Sequence, residues 1–128
     1  MATGEIHLDT NYLIGALTAG LPEEVQLLGW LGSRRPLSIS AAAWAEFLCG
    51  PVSPTDVVTA AALLGDPLPL GPREATLAAH YFTASGRRRG TLVDCMIAAT
   101  AMTAGAALAT ANVDDFRRVI PLGLRLAT

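Results

Sequence analysis

The sequence predicts a single α/β domain over residues 1–128, built around a mostly parallel sheet. Three observations carry that expectation. The chain has 128 residues, of which 52% are hydrophobic and 16% charged. That is enough for one core without disulfides or a structural metal, and too apolar for a disordered chain. Short β-capable segments alternate with helical ones, separated by Gly, Pro or a capping residue. No internal repeat or linker breaks the alternation, so the units are expected to share one sheet.

The elements follow in order. Glu5 to Asp9 is β-capable, with Ile6 and Leu8 on one face and His7 on the other. Thr10 and Asn11 suit an N-cap, and a helix is expected from there until Gly20 stops it. Pro22 suits a first helical position, with Glu23 and Glu24 favourable in the first turn and Gly32 at the end. Pro36 to Ser40 is a second strand, and Ser40 caps a helix from Ala41 to Cys49. Gly50-Pro51 ends that helix, and Ser53 or Thr55 opens another that runs to about Gly65. Asp66 to Leu70 is a short extended piece broken by Pro. Pro72 starts a helix to about Ser85, Gly86 to Gly90 is a loop, and Thr91 caps a helix to about Thr103. Ala106 to Thr110 is a strand, Asn112 to Val119 a short helix, and Leu122 to Ala127 a last strand.

Composition excludes several classes. The formal charge is −2, so a net-basic nucleic-acid binder is not indicated, although local patches remain open. Cys49 and Cys95 form no disulfide framework and have no His at metal-ligand spacing; both are expected as buried thiols. Met1 to Asp9 has neither a basic nor an apolar signal region. The uncharged stretch Cys95 to Val113 is Ala-, Thr- and Gly-rich, and reads as helix, turn and strand rather than a membrane span. A cytoplasmic protein is expected.

The informative signal is a set of lone acids. Asp9 is the only formally charged residue from Ile6 to Pro22, Glu46 from Pro36 to Thr55, and Asp94 from Thr91 to Val113. Ionised carboxylates are rarely buried without a partner. Asp9 falls at the C-terminal end of the first strand, the edge where open parallel sheets bind ligands. Asp94 lies in the first turn of its helix and faces the same edge. Asp114 and Asp115 follow the strand Ala106 to Thr110, and Glu46 is one turn into the helix after the second strand. Four converging carboxylates repel one another unless a hard cation neutralises them, and oxygen-only ligation suits Mg²⁺ or Mn²⁺ rather than Zn²⁺. Such a cation activates water and stabilises a phosphodiester in transition.

Each acid also has a plainer reading. Asp94 serves a helix dipole, Glu46 faces solvent, Asp9 is a simple N-cap, and Asp114 and Asp115 are first-turn acids of a surface helix. Taken together, these readings account poorly for the absence of any other charge in the same segments.

Four blocks carry a resemblance: Leu8-Asp9-Thr10-Asn11, Ala45-Glu46-Phe47, Asp94 to Ala101 (DCMIAATA) and Thr110 to Phe116 (TANVDDF). In this order, across nearly the whole chain, they resemble the PIN domain, and most of all the VapC-type toxins of bacterial toxin–antitoxin pairs. The resemblance implies a three-layer α/β/α fold and a Mg²⁺-dependent endoribonuclease, with a cognate antitoxin and a homodimer as partners. It implies metal binding at Asp9 and Asp94, and active-site acid roles for Glu46 and Asp115. Asp115 is preferred to Asp114 because it directly precedes Phe116. Thr10, Asn11, Thr110 and Asn112 would orient the carboxylates. The tail Arg118 to Arg125 carries extra residues relative to the family's run.

Arg87, Arg88 and Arg89 form the densest basic cluster, read either as a solvated loop or as RNA phosphate contacts. Arg34 and Arg35 are a weaker cluster. Trp30 and Trp44 read as core or dimer packing, and His7 and His80 offer no base–nucleophile pair. Two other classes stand beside the nuclease. A non-catalytic α/β regulatory or protein-interaction module is opposed by the presence of all four acids. A phosphotransfer receiver is opposed by the absence of any Lys.

Overall fold

β1 (Ile6–Leu8) is the centre of the sheet in this computed structural model, which describes residues 4–87 and 91–127. It pairs in parallel with β2 (Leu37–Ser38) on one side and β3 (Ala107–Ala109) on the other, giving the order β2-β1-β3. The register sets His7 opposite Ser38 and Leu108, and Leu8 opposite Ala109. Single parallel bridges, Ser40 with Leu68 and Leu108 with Leu126, widen the sheet at its two edges. Parallel neighbours need a crossover, so helices must flank the sheet and both its faces are covered. All three residues of β1 are accordingly buried, His7 included.

The helices begin where local chemistry directs. Asp9, rather than Thr10 or Asn11, caps α1 (Thr10–Ala16), its Oδ1 accepting from the Thr10 N–H. α2 (Pro22–Gly32) and α4 (Pro54–Leu64) start on a proline, and α4 is capped by the Ser53 hydroxyl. The Ser40 hydroxyl accepts from the Ala43 N–H at 3.1 Å and opens α3 (Ala41–Cys49). α5 (Pro72–Ala84) starts on Pro72, with Glu74 reaching back to the Gly71 N–H. α6 (Leu92–Thr103) packs against α3, α5, β3 and α7 (Val113–Phe116). Its small residues Ala98, Ala99 and Ala101 are fully buried, which lets those neighbours approach closely. Ser40 is itself buried. Ser40→Ala is therefore expected to cost about 1–2 kcal/mol, read as a lower urea midpoint at unchanged slope. An unchanged midpoint would remove the cap from the account.

Three expectations need correction. The last strand does not extend from Leu122 to Ala127. Ile120–Leu122 is a 3₁₀ turn around Pro121, Gly123 turns through φ 116°, and the ladder with β3 is a single bridge at Leu126. The helix expected to reach Val119 ends at Phe116, and residues 117–119 form a turn that leads into the 3₁₀ segment. Cys95 is buried, but Cys49 is exposed at the last position of α3. Trp30 stacks on Tyr12 at 5.7 Å and Trp44 tilts against Phe47 at 5.3 Å, both as part of the core and its margin.

Candidate active site

Asp9 ends β1, and its backbone N–H donates to the Ala109 carbonyl at 2.9 Å. That ladder bond brings Asp9 beside Thr110, the residue that follows β3. The Thr110 hydroxyl donates to Asp9 Oδ2 at 2.9 Å and accepts from the Asn112 N–H at 3.0 Å, so its proton has one direction to point. With Oδ1 taking the Thr10 N–H at 2.9 Å, both Asp9 oxygens are held. Thr10 then reaches across to α3. Its hydroxyl lies 2.8 Å from Glu46 Oε1 and 3.2 Å from the Ala43 carbonyl, and the shorter, charged acceptor is the stronger one. Thr10 thus grips Asp9 through its backbone and Glu46 through its side chain.

Asp94 enters from the first turn of α6, half-buried. Asp115 enters from α7, whose start is fixed by the bond from the Asp115 N–H to the Asn112 carbonyl, 3.0 Å. The charges of Glu46 and Asp115 act on both Asp9 and Asp94. Burial raises the Asp9 carboxyl, and Glu46 and Asp115 raise it further, against the two hydrogen bonds from Thr110 and Thr10. Burial, then Asp9, Asp115 and Glu46, push the Asp94 carboxyl up to about 7. Among the described residues, Glu5 lies against the His7 imidazole and Asp114 is paired with Arg117, and no ion pair reaches these four acids.

Asp114 stands apart. It is exposed, and its Oδ1 is paired with the Arg117 guanidinium. Asn11 is exposed, and no hydrogen bond joins it to the acids among the described residues. Asn112 contributes through its backbone. Arg87 is exposed, with its N–H closing the end of α5 onto the Phe82 carbonyl at 2.9 Å; Arg88 and Arg89 lie outside the described residues. His7 sits in β1 with Nε2 3.3 Å from Glu5 Oε2, and burial lowers its pKa. His80 lines a groove beside α5.

The surroundings are shallow. Asp94 and Asp115 border a cleft of about 20 Å³, shared with Ser85, Asp114 and Arg118. Glu46 lines a more apolar groove of about 440 Å³ with Ala42, Ala45, Val93 and Met96. A cavity of about 860 Å³ between α5 and the end of α6 touches none of the four acids. Open ground around the carboxylates suits a large substrate better than an enclosed small molecule. Sequence reading missed Arg118 in the cleft. Its signal was the pairing of Asp114 with Arg117 three residues on, which leaves Arg118 as the neighbouring cation that is not paired with Asp114.

The PIN domain family matches residues 6–120. The chain belongs to the PIN domain family. Among curated proteins none matches the chain. Solved structures share the PIN fold. The VapBC2 complex of Rickettsia felis, bound to a DNA fragment from its promoter, has a chain 20% identical with a TM-score of 0.78, covering 96% of this chain and 97% of that one. FitAcB of Neisseria gonorrhoeae is 22% identical with a TM-score of 0.72, covering 96% of each. A toxin–antitoxin complex from Klebsiella pneumoniae is 22% identical with a TM-score of 0.70, covering 87% and 89%. The three parallel strands flanked by helices are the α/β/α arrangement expected for a PIN domain. No helix among the described residues is long and apolar enough to cross a membrane.

Proposed function

We propose that this PIN domain is a divalent-metal-dependent endoribonuclease, acting as the toxin of a toxin–antitoxin pair by cleaving RNA phosphodiester bonds. One observation carries the reading: four acids from four separate elements meet at one edge of the sheet with no cation paired to them among the described residues. Such a cluster costs stability until a cation or a proton offsets the repulsion, and groups perturbed in this way concentrate at functional sites.

Mg²⁺, or Mn²⁺ in its place, fits the donor set. The candidate ligands are oxygen-only, and no group of three His, Cys, Asp or Glu among the described residues encloses a metal by itself. Mg²⁺ is usually held by one or two carboxylates and keeps several waters, so Asp9 and Asp94 would suffice. When bound, the cation supplies charge stabilisation for the phosphodiester and makes water a better nucleophile. The protein's own groups do the rest. Thr110 and Thr10 hold the Asp9 carboxylate in one orientation. Glu46 Oε1 is engaged by Thr10, which leaves Oε2 to accept a proton from an attacking water. Asp115 adds negative charge that favours retention of the cation.

The antitoxin partner is proposed from the toxin–antitoxin complexes that share the fold, and a cytoplasmic setting goes with it. A second copy of the chain is the other proposed partner, and exposed Val25, Leu28 and Val58 leave apolar surface for such contacts. Titration calorimetry tests the metal. Wild-type protein is expected to bind Mg²⁺ or Mn²⁺ in the micromolar to millimolar range, roughly as for open carboxylate sites. Asp9→Asn, which keeps a good N-cap residue, is expected to bind at least ~10-fold more weakly and to lose RNA cleavage. Equal heats from both proteins would remove Asp9 from the site.

A further inference from the structure

Arg118 lines the same small cleft as Asp94 and Asp115, across the edge of the acid cluster. It lies three residues after Asp115, on the turn that leaves α7. Its Nη1 donates to the Ser85 carbonyl at 2.8 Å, at the end of α5. Gly86, next along the chain from Ser85, turns through φ +93°, a backbone conformation that favours glycine. The tether uses one of five donors and a neutral acceptor. Arg117 is paired with Asp114, whereas Arg118 has no ion pair among the described residues.

A polyanion approaching four carboxylates is repelled, and positive charge at the rim must offset this. We infer that Arg118 is a substrate-binding residue, holding an RNA backbone phosphate beside the acid cluster with the guanidinium donors that the Ser85 tether leaves open. The inference rests on the nuclease reading above and names how that site takes its substrate. A planar fork held at one end by a backbone carbonyl presents its remaining N–H groups in a fixed direction, which suits bidentate contact with phosphate oxygens. The contact reads no base, so it serves any sequence equally.

The test separates this role from a purely structural tether. Binding of two fluorescein-labelled single-stranded RNAs of different sequence is measured by anisotropy over a series of KCl concentrations. Wild type, Arg118→Gln and Arg118→Lys are compared, with thermal melts and RNA cleavage run in parallel. Arg118→Gln is expected to weaken binding of both RNAs about 10-fold and to flatten the plot of log affinity against log salt by ~0.7, the value for one phosphate contact on a single strand. Arg118→Lys is expected to keep most of that slope. KM for cleavage should rise with kcat nearly unchanged. A lower melting temperature with an unchanged salt slope overturns the inference and leaves Arg118 as a tether for α5. Wild type that binds RNA with the expected slope but cleaves none, with Mg²⁺ present, overturns the nuclease reading while leaving the phosphate contact standing. Wild type that binds neither RNA overturns the inference.

Discussion

Asp94→Asn is expected to lower RNA cleavage by ~10² or more and, in metal-free buffer, to make the protein more stable. Both effects follow from one position. Asp94 is a half-buried carboxyl that faces Asp9, Asp115 and Glu46, and its pKa stands near 7 rather than its usual 3.8. Between about pH 4 and 7 the folded chain therefore holds a proton that the unfolded chain has released. Stability accordingly falls as pH rises through that window and returns as the carboxyl is protonated in acid. Asparagine keeps the volume and removes the charge. The gain should be about 1–2 kcal/mol at pH 8, since solvent around a half-exposed group screens part of the repulsion, and should vanish near pH 4. Saturating Mg²⁺ should reverse the order, because a cation bound to the folded state stabilises wild type and has lost a ligand in the variant. An acid serving only the helix dipole behaves oppositely, losing ~0.3–1 kcal/mol on neutralisation and leaving cleavage intact. Melts in EDTA at the two pH values, beside a cleavage assay in Mg²⁺, distinguish the outcomes. A destabilised but fully active Asp94→Asn protein would exclude the residue from catalysis.

Phe116→Ala is expected to cost about 3–5 kcal/mol and to reduce cleavage even where the chain remains folded. Phe116 is completely buried at the end of α7, a helix of four residues. So short a helix has no stability of its own. Its place depends on the Phe116 anchor and its packing against α6. Losing the ring leaves a cavity and frees Asp115, one residue earlier, from the acid cluster. Asp114→Asn is the matched control. Its exposed pair with Arg117 should be worth no more than ~0.5 kcal/mol, with cleavage unchanged. Urea midpoints measured beside cleavage rates below the melting range test the pair. A mild loss of stability with full activity in Phe116→Ala would show that α7 is held by other contacts.

Much of the fold was legible because its signals are local. Pro22 and Pro72 each open a helix, Ser40 caps the helix it precedes, and of the two starts offered for α4 it is Ser53 that caps it. Asp9, Glu46 and Asp94 stood out as single charges in apolar runs, since burying a charge is costly wherever the chain places it. The end of the chain was misread for the same reason that the rest was read well. Leu122 to Ala127 looks β-capable locally, but whether it pairs along its length depends on the path set by Pro121 and Gly123 against β3.

By itself the sequence determined an α/β alternation and a set of carboxylates without local partners, because caps, prolines and charge desolvation act within a few residues. Only the tertiary structure decided which groups meet. It joined Thr10 to Glu46 and Thr110 to Asp9, 36 and 101 residues apart. It separated Asp115, whose charge reaches Asp9 and Asp94, from Asp114, which Arg117 occupies. It turned Cys49 outward and set Arg118 in the cleft with Asp94. Hydrogen bonds and charge interactions depend on separation in space, and only the crossovers of the parallel sheet bring these distant segments to one edge.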